Sequence, residues 1–238
     1  MTLQRIAQGL LDLVLPPFEG CSLCGNPAGM SSAPCSTGIC ESCMRSYTPI
    51  IKHLALPSLP SHDRDDVLEH AVVVAAGVYE GRLKEAIWRL KYGGRQDLCE
   101  PLGSLMAAAG HAAVEGGAGS FDIIVPVPLH PTREAARGFN QSFLLSRVVG
   151  RHLGLPVEAG KLRRSRETLP QSTLDQRERR RNISGAFSVS KRGWFESRRV
   201  LVVDDVFTTG ATAFECRAVL LDDGAESVDV LVCAITGG

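Results

Sequence analysis

Apolar residues in this chain form two kinds of run. Leu3, Ile6, Ala7, Leu10, Leu11 and Val14 recur with the period of one helix face, and Pro16-Pro17 ends the run. Arg5 is its only cation, too few for a helix lying on anionic lipid, so this face is expected to rest on the protein's own body. Residues 71–79 (AVVVAAGVY) instead make a continuous apolar run of strand length. A helical pattern follows over 81–92 (GRLKEAIWRLKY), closed by Gly93-Gly94, and a second over 98–114, closed by the glycine-rich 116–120.

From there strand and helix patterns alternate. Residues 121–128 (FDIIVPVP) read as a buried strand with a polar loop after it, 142–154 as a helix and 155–159 (LPVEA) as a short strand. A long basic stretch then runs to Arg181. Residues 198–206 (RRVLVVDDV) are a second buried strand, a helix starts at Ala211, and 227–235 (SVDVLVCAI) form the last strand. Strands separated by helices of this length imply right-handed crossovers, hence an α/β fold whose mostly parallel sheet is flanked by helices. A polar, proline-bearing stretch from Leu56 to Arg64 reads as a linker. It divides an N-terminal unit over residues 1–55 from an α/β domain over 65–238.

Composition narrows the function classes. At 238 residues and 44% hydrophobic, the chain has enough apolar material for a core. Twenty-six basic and twenty-six acidic residues cancel, which excludes a polyelectrolyte that coats nucleic acid, and 5% aromatics argue against a broad base-stacking surface. No apolar run approaches the ~20 residues of a membrane helix, so no membrane span is expected. Gln8 and Asp12 interrupt the first apolar stretch and no small-residue cleavage site follows, so a cytoplasmic location is expected.

Five of the eight cysteines fall between Cys21 and Cys43, while Cys99, Cys216 and Cys233 stand alone. In a reducing compartment clustered thiols are metal ligands more often than disulfides. Cys21-Ser-Leu-Cys24 and Cys40-Glu-Ser-Cys43 are two C-x2-C knuckles with fifteen residues between them. Each knuckle turns two thiolates toward one point, and two complete a tetrahedron around Zn²⁺. Four thiolates leave no open position, so such a zinc is structural. Cys35 is a spare that can stand in for Cys40.

The stretch from Val200 to Thr212 is the most informative. A buried strand delivers Asp204 and Asp205 to its carboxyl end, where ligands bind in open α/β sheets. Thr208, Thr209, Gly210, Ala211 and Thr212 then open a helix, whose backbone N–H groups and hydroxyls suit a phosphate. Carboxylates beside a phosphate cradle repel the anion unless they serve ribose hydroxyls or Mg²⁺. Two basic segments accompany this one. Arg133 and Arg137 precede the Gly138-Phe139-Asn140-Gln141 turn, placed to grip an oxyanion by paired donors. Lys161–Arg181 carries eight basic and three acidic residues, a local net of +5, and is expected to be a loop leading into a helix-like QRERRRN. It suits a pyrophosphate or a nucleic-acid backbone.

The order VLVVDDVFTTGAT resembles the PRPP-binding signature of the type I phosphoribosyltransferases. That resemblance implies that Asp204 and Asp205 hold the ribose, and that Thr208, Thr209, Gly210, Ala211 and Thr212 hold the 5-phosphate. Taken with the two knuckles, Leu90-Lys91-Tyr92, VPVPLHPTREAARGFNQS, Thr168-x-Pro170-Gln171-x-x-Leu174 and Arg179-x-x-Asn182-x-x-Gly185-Ala186-Phe187, nearly the whole chain is similar to the ComF family. These are competence-linked phosphoribosyltransferase-like proteins with an N-terminal zinc ribbon. The resemblance implies PRPP with Mg²⁺ as ligand, an unidentified nucleobase as acceptor, and Arg133 and Arg137 on the pyrophosphate. It also implies a place in DNA uptake, with single-stranded DNA and a helicase or recombination mediator as partners. The same residues suit either a transferase or a binding protein that keeps the fold without turnover.

Overall fold

The computed structural model describes residues 20–26, 38–56, 69–117, 119–168 and 176–237. The expected helix at residues 3–14 and the spare Cys35 lie outside these residues, as does most of the expected linker. In chain order the elements are α1 (Glu41–Ser46), β1 (Ile50–Leu56), β2 (Glu69–Val78), α2 (Gly81–Tyr92), α3 (Cys99–Glu115), β3 (Ile123–Pro126), α4 (Pro131–Arg137), α5 (Gln141–Leu153), β4 (Leu162–Arg164), α6 (Gln176–Ile183), β5 (Phe187–Val189), β6 (Arg199–Phe207), α7 (Ala211–Asp222) and β7 (Ser227–Ile235).

The fold is α/β, as the alternation predicts. One sheet runs β1-β2-β7-β6-β3, with β2, β7, β6 and β3 mutually parallel and β1 antiparallel on the edge. Strand β6 lies inside the sheet, between β7 and β3, and is covered on both faces, which explains its continuous apolar run. Val200 and Val202 face one layer with Cys216 and Leu220 of α7, whereas Leu201 and Val203 face the other with Leu83, Ile87, Leu102, Met106 and Leu145. Helices α3 and α5 approach so closely that a Cβ on Gly103 would lie 2.5 Å from Val148 Cβ.

Several local expectations are corrected. Residues 50–56 form the edge strand β1, which their mixed composition does not announce. The FDIIVPVP strand is shorter than its apolar run, spanning Ile123–Pro126. The polar loop expected after it is instead helix α4, capped by His130, started by Pro131 and ended by Gly138 in the left-handed region. LPVEA contributes a single parallel bridge, Val157 to Ile124, rather than a strand. The basic stretch opens with β4, which pairs antiparallel with β5 in a separate two-stranded sheet. The expected helix over QRERRRN is present as α6.

The knuckle residues Cys21, Leu23, Ile39, Cys40 and Cys43 are buried in the same apolar cluster as Leu83, Ile87 and Leu90 of α2. The cysteine unit thus rests on the helix that also carries Lys91.

Candidate functional site

The parallel strands place the starts of their following segments at one edge of the sheet. There β6 ends in Asp204, Asp205 and the Thr208–Thr212 turn, β3 leads into α4 and α5, and β2 leads into α2. Together they enclose a cavity of about 490 Å³ lined by Asp204, Asp205, Thr208, Gly210, Ala211 and Thr212. Arg133, Arg137 and Gln141 line it from the β3 side, with Lys91 and Tyr92 from α2 and Arg164 from β4. Of Asp204, Asp205, Arg133, Arg137 and the residues Thr208, Thr209, Gly210, Ala211 and Thr212, Thr209 alone is not in the lining. Its Oγ1 accepts from Ala211 N at 3.5 Å and so shapes the turn from behind.

Gly210 makes that turn possible. It sits at φ +75°, and a Cβ there would fall 2.4 Å from Phe214 Cε2 and 2.6 Å from Phe207 Cζ. The two rings meet edge-to-face at 5.6 Å and close the space a side chain would need. Only glycine satisfies both the backbone and the contact.

The acidic pair divides its duties. Asp204 is half-buried; its Oδ1 accepts from Ser142 Oγ at 2.8 Å and from Asp205 N at 2.9 Å. Burial, followed by the adjoining Asp205 charge, pushes its carboxyl up to about 7, against the pull of Lys91 and the Ser142 bond. Asp205 is buried, at 3% exposed, and its Oδ1 pairs with Lys91 Nζ at 2.8 Å. Burial opposes the Lys91 charge, but the attraction of Asp205 and Asp204 outweighs it and holds the ammonium above the ordinary lysine range.

The arginines are held by the protein at the cavity wall. Arg133 donates to the Thr168 carbonyl, and Arg137 donates to Gln141 Oε1 while its guanidinium lies 5.3 Å from the Tyr92 ring centroid. Both therefore project from a helix rather than from the expected loop. Arg164, which the sequence offers only as one of the cations of the Lys161–Arg181 stretch, is buried at 8% exposed and donates to Thr168 Oγ1. Burial, and then the neighbouring Arg133 charge, lowers its affinity for its proton. Lys91 was visible only as part of a tripeptide pattern, with nothing local to reveal its partner.

Two buried side-chain atoms among the described residues have no hydrogen-bond partner, Arg164 Nε and Asp205 Oδ2. Both belong to residues lining this cavity. One lacks an acceptor and the other a donor.

The second site is the cysteine unit. The ligand atoms of Cys21, Cys24, Cys40 and Cys43 all lie within 4.8 Å of one another. In each knuckle the first sulfur accepts from the backbone N–H of the last cysteine, Cys24 N to Cys21 Sγ at 3.5 Å and Cys43 N to Cys40 Sγ at 3.4 Å. Burial opposes ionisation of Cys21, but N–H donors of Cys40, Cys24 and Leu23 overcome it and bring the thiol down to about 6. A four-sulfur donor set with thiolate-stabilising N–H groups fits a tetrahedral structural Zn²⁺. Cys40 is in this set.

No protein-family model matches the chain. The DNA utilization protein YhgH of Escherichia coli O157:H7 is 32% identical over 221 residues, covering 88% of this chain and 94% of that protein. Competence protein F of Haemophilus influenzae is 39% identical over 110 residues, 46% of this chain and 48% of that protein. Competence protein ComFC of Bacillus subtilis is 24% identical over 204 residues, 86% of this chain and 72% of that protein. Among solved structures, the glutamine PRPP amidotransferase of B. subtilis, complexed with ADP and GMP, overlays at TM-score 0.39 and 22% identity, covering 60% of this chain and 30% of that one. A hypoxanthine phosphoribosyltransferase of Staphylococcus aureus overlays at TM-score 0.31 and 14% identity, covering 63% and 62%. With nearly the full length of YhgH matched, the chain belongs to the ComF family.

Proposed function

We propose that this protein binds PRPP with its Mg²⁺ in the cavity beside Asp204 and Asp205, transfers the phosphoribosyl group to a nucleobase, and serves the uptake or use of DNA. The observation that carries this reading is the gathering of the Asp204–Asp205 pair, Thr208, Gly210, Ala211, Thr212 and several basic side chains around one cavity. The lining holds four basic side chains, Lys91, Arg133, Arg137 and Arg164, against two carboxylates, which suits a polyanionic ligand.

In this reading the Thr208–Thr212 turn receives the 5-phosphate and the acidic pair receives the ribose hydroxyls. Departure of pyrophosphate breaks the C1–O bond as a ring nitrogen of the acceptor forms the C1–N bond and releases its proton to solvent. Positive charge grows on the ribose and negative charge on the leaving oxygens. Asp204 and Asp205 oppose the first, and Arg133, Arg137 and Arg164 oppose the second. Lys91 Nζ, 2.8 Å from Asp205 Oδ1, fixes that carboxyl group at the cavity wall. The cysteine unit would hold Zn²⁺ as a fold element, away from the chemistry.

The place in DNA uptake rests on the names of the relatives, a DNA utilization protein and competence proteins. The test is pyrophosphate release from Mg²⁺–PRPP against a panel of free bases, with Asp205→Asn as the comparison. Release that depends on one base and is lost in Asp205→Asn supports transfer. Binding of PRPP without release supports an effector site in a DNA-uptake adaptor instead.

A further inference from the structure

Ser104 and Ser146 direct their hydroxyl protons to their own helices. Ser104 Oγ donates to the Glu100 carbonyl at 2.9 Å and Ser146 Oγ to the Ser142 carbonyl at 2.7 Å, each four residues back. Ser142 does otherwise. It is the second residue of α5, with no helical carbonyl four residues behind it, and its Oγ donates across to Asp204 Oδ1 on β6 at 2.8 Å. A circuit of hydrogen bonds fixes this fully buried serine. Asn140 Oδ1 accepts from Ser142 N at 3.0 Å, and Asn140 Nδ2 donates to the Val127 carbonyl at 3.1 Å. Val127 N in turn donates to the carbonyl of Val203, the neighbour of Asp204, at 2.9 Å. The hydroxyl therefore meets Asp204 from a frame anchored on the same strand.

An aspartate needs such a frame. Torsion about its last side-chain bond is broad, so the strand fixes where the Asp204 side chain starts but not how its carboxyl plane lies. The protein's own cations compete with any ligand for that carboxyl, since Lys91 and Arg164 both feel the attraction of its charge. The Ser142 hydroxyl and the Asp205 N–H both fall on Oδ1, and no other hydrogen bond among the described residues engages the group. Oδ2 is thereby left for a ligand. Without Ser142 the carboxyl is free to rotate onto a cation of the wall. Ser142 itself is not part of the cavity lining, so its effect on a ligand passes through Asp204.

We propose that Ser142 is a positioning residue, whose hydroxyl holds Asp204 Oδ1 on the protein so that Oδ2 is kept for the ribose hydroxyls of the ligand. The proposal rests on the sugar-phosphate reading of the cavity given above.

Two readouts on the full-length, zinc-loaded chain test it. In calorimetry with Mg²⁺–PRPP, Ser142→Ala should weaken binding on the order of tenfold, the scale of one lost hydrogen bond to a charged group. Ser142→Cys fills the same space with a weak donor and should show a comparable loss, which separates the bond from packing. In an Asp204→Ala background, Ser142→Ala should cost nothing further, because the group it positions is gone. The second readout is the titration of Asp204 followed by carboxyl ¹³C NMR, with Asp204→Asn giving the assignment. Asp205 of the same strand, Lys91 of α2, Arg164 of β4 and Cys216 of α7 act on this carboxyl, and Arg133 and Arg137 of α4 line the same cavity. All of them remain in Ser142→Ala, so loss of a donor to the ionised form should move the midpoint upward. Parent affinity in Ser142→Ala, a loss of the same size without Asp204, or an unmoved midpoint would each overturn the proposal. A parent protein that gives no heat with Mg²⁺–PRPP contradicts the reading of the cavity instead, and the NMR midpoint then decides whether Ser142 holds Asp204.

Discussion

Lys91 Nζ lies 2.8 Å from Asp205 Oδ1, and the two side chains are 19% and 5% exposed. The pair ties α2, which supports the cysteine unit, to the end of β6, which carries the candidate phosphate turn. A charge pair this deep depends on both members. Lys91→Met leaves the Asp205 charge without its partner and is expected to cost about 3–5 kcal/mol. Lys91→Met/Asp205→Asn removes both charges and should recover most of that loss. A urea-denaturation cycle of the four proteins measures the coupling, and additive losses would show that the pair does not act as a unit.

Gly210 governs the turn. Gly210→Ala places a Cβ against Phe207 and Phe214 at positive φ, so a loss of about 1–3 kcal/mol of stability is expected. PRPP binding should fall further than Phe214→Leu reduces it, because the alanine also displaces the backbone of the turn. Thermal unfolding and calorimetry on both variants check this.

The carboxyl of Asp204 gives stability a pH slope of unusual sign. Burial and Asp205 raise its folded-state pKa to about 7, well above the ~3.9 of an exposed aspartate. Folding therefore favours the protonated form. The contribution is fully present below about pH 4 and is lost as pH rises through about 7. Asp204→Asn keeps a neutral group facing Ser142 and should flatten the change in urea midpoint between pH 5 and pH 8. An unaltered slope in the variant would assign it to other groups.

The cysteine unit shares its apolar cluster with α2. Loss of metal should therefore lower the unfolding temperature of the whole chain rather than release a separate early transition. Cys43→Ser and prolonged chelation are each expected to remove one zinc per chain and shift a single calorimetric peak downward. Two resolved peaks in the metal-free protein would show that the unit unfolds alone.

Much of this site was legible because its chemistry is local in sequence. The buried run before Asp204-Asp205 and the small residues after it mark a strand end and a helix start without any tertiary information. The cysteine knuckles are equally self-announcing. Helix α4 was legible in principle, since His130, Pro131 and Gly138 are a cap, a first-turn residue and a terminator, but its polar residues read as a loop. Lys91 and Arg164 were not, because each acquires its role from a partner on another element. Ser142 likewise looks like any early helix residue until β6 brings Asp204 to its hydroxyl. Edge strand β1 carries Lys52 and His53 amid apolar residues, so period alone could not separate it from a linker.

The central claim is that a sugar diphosphate occupies the cavity at the end of β6. Isothermal titration of the folded, zinc-loaded chain with Mg²⁺–PRPP tests it most directly. Saturable heat at one site per chain, lost in Asp205→Asn, is the expected result. A flat titration of the parent protein would contradict it.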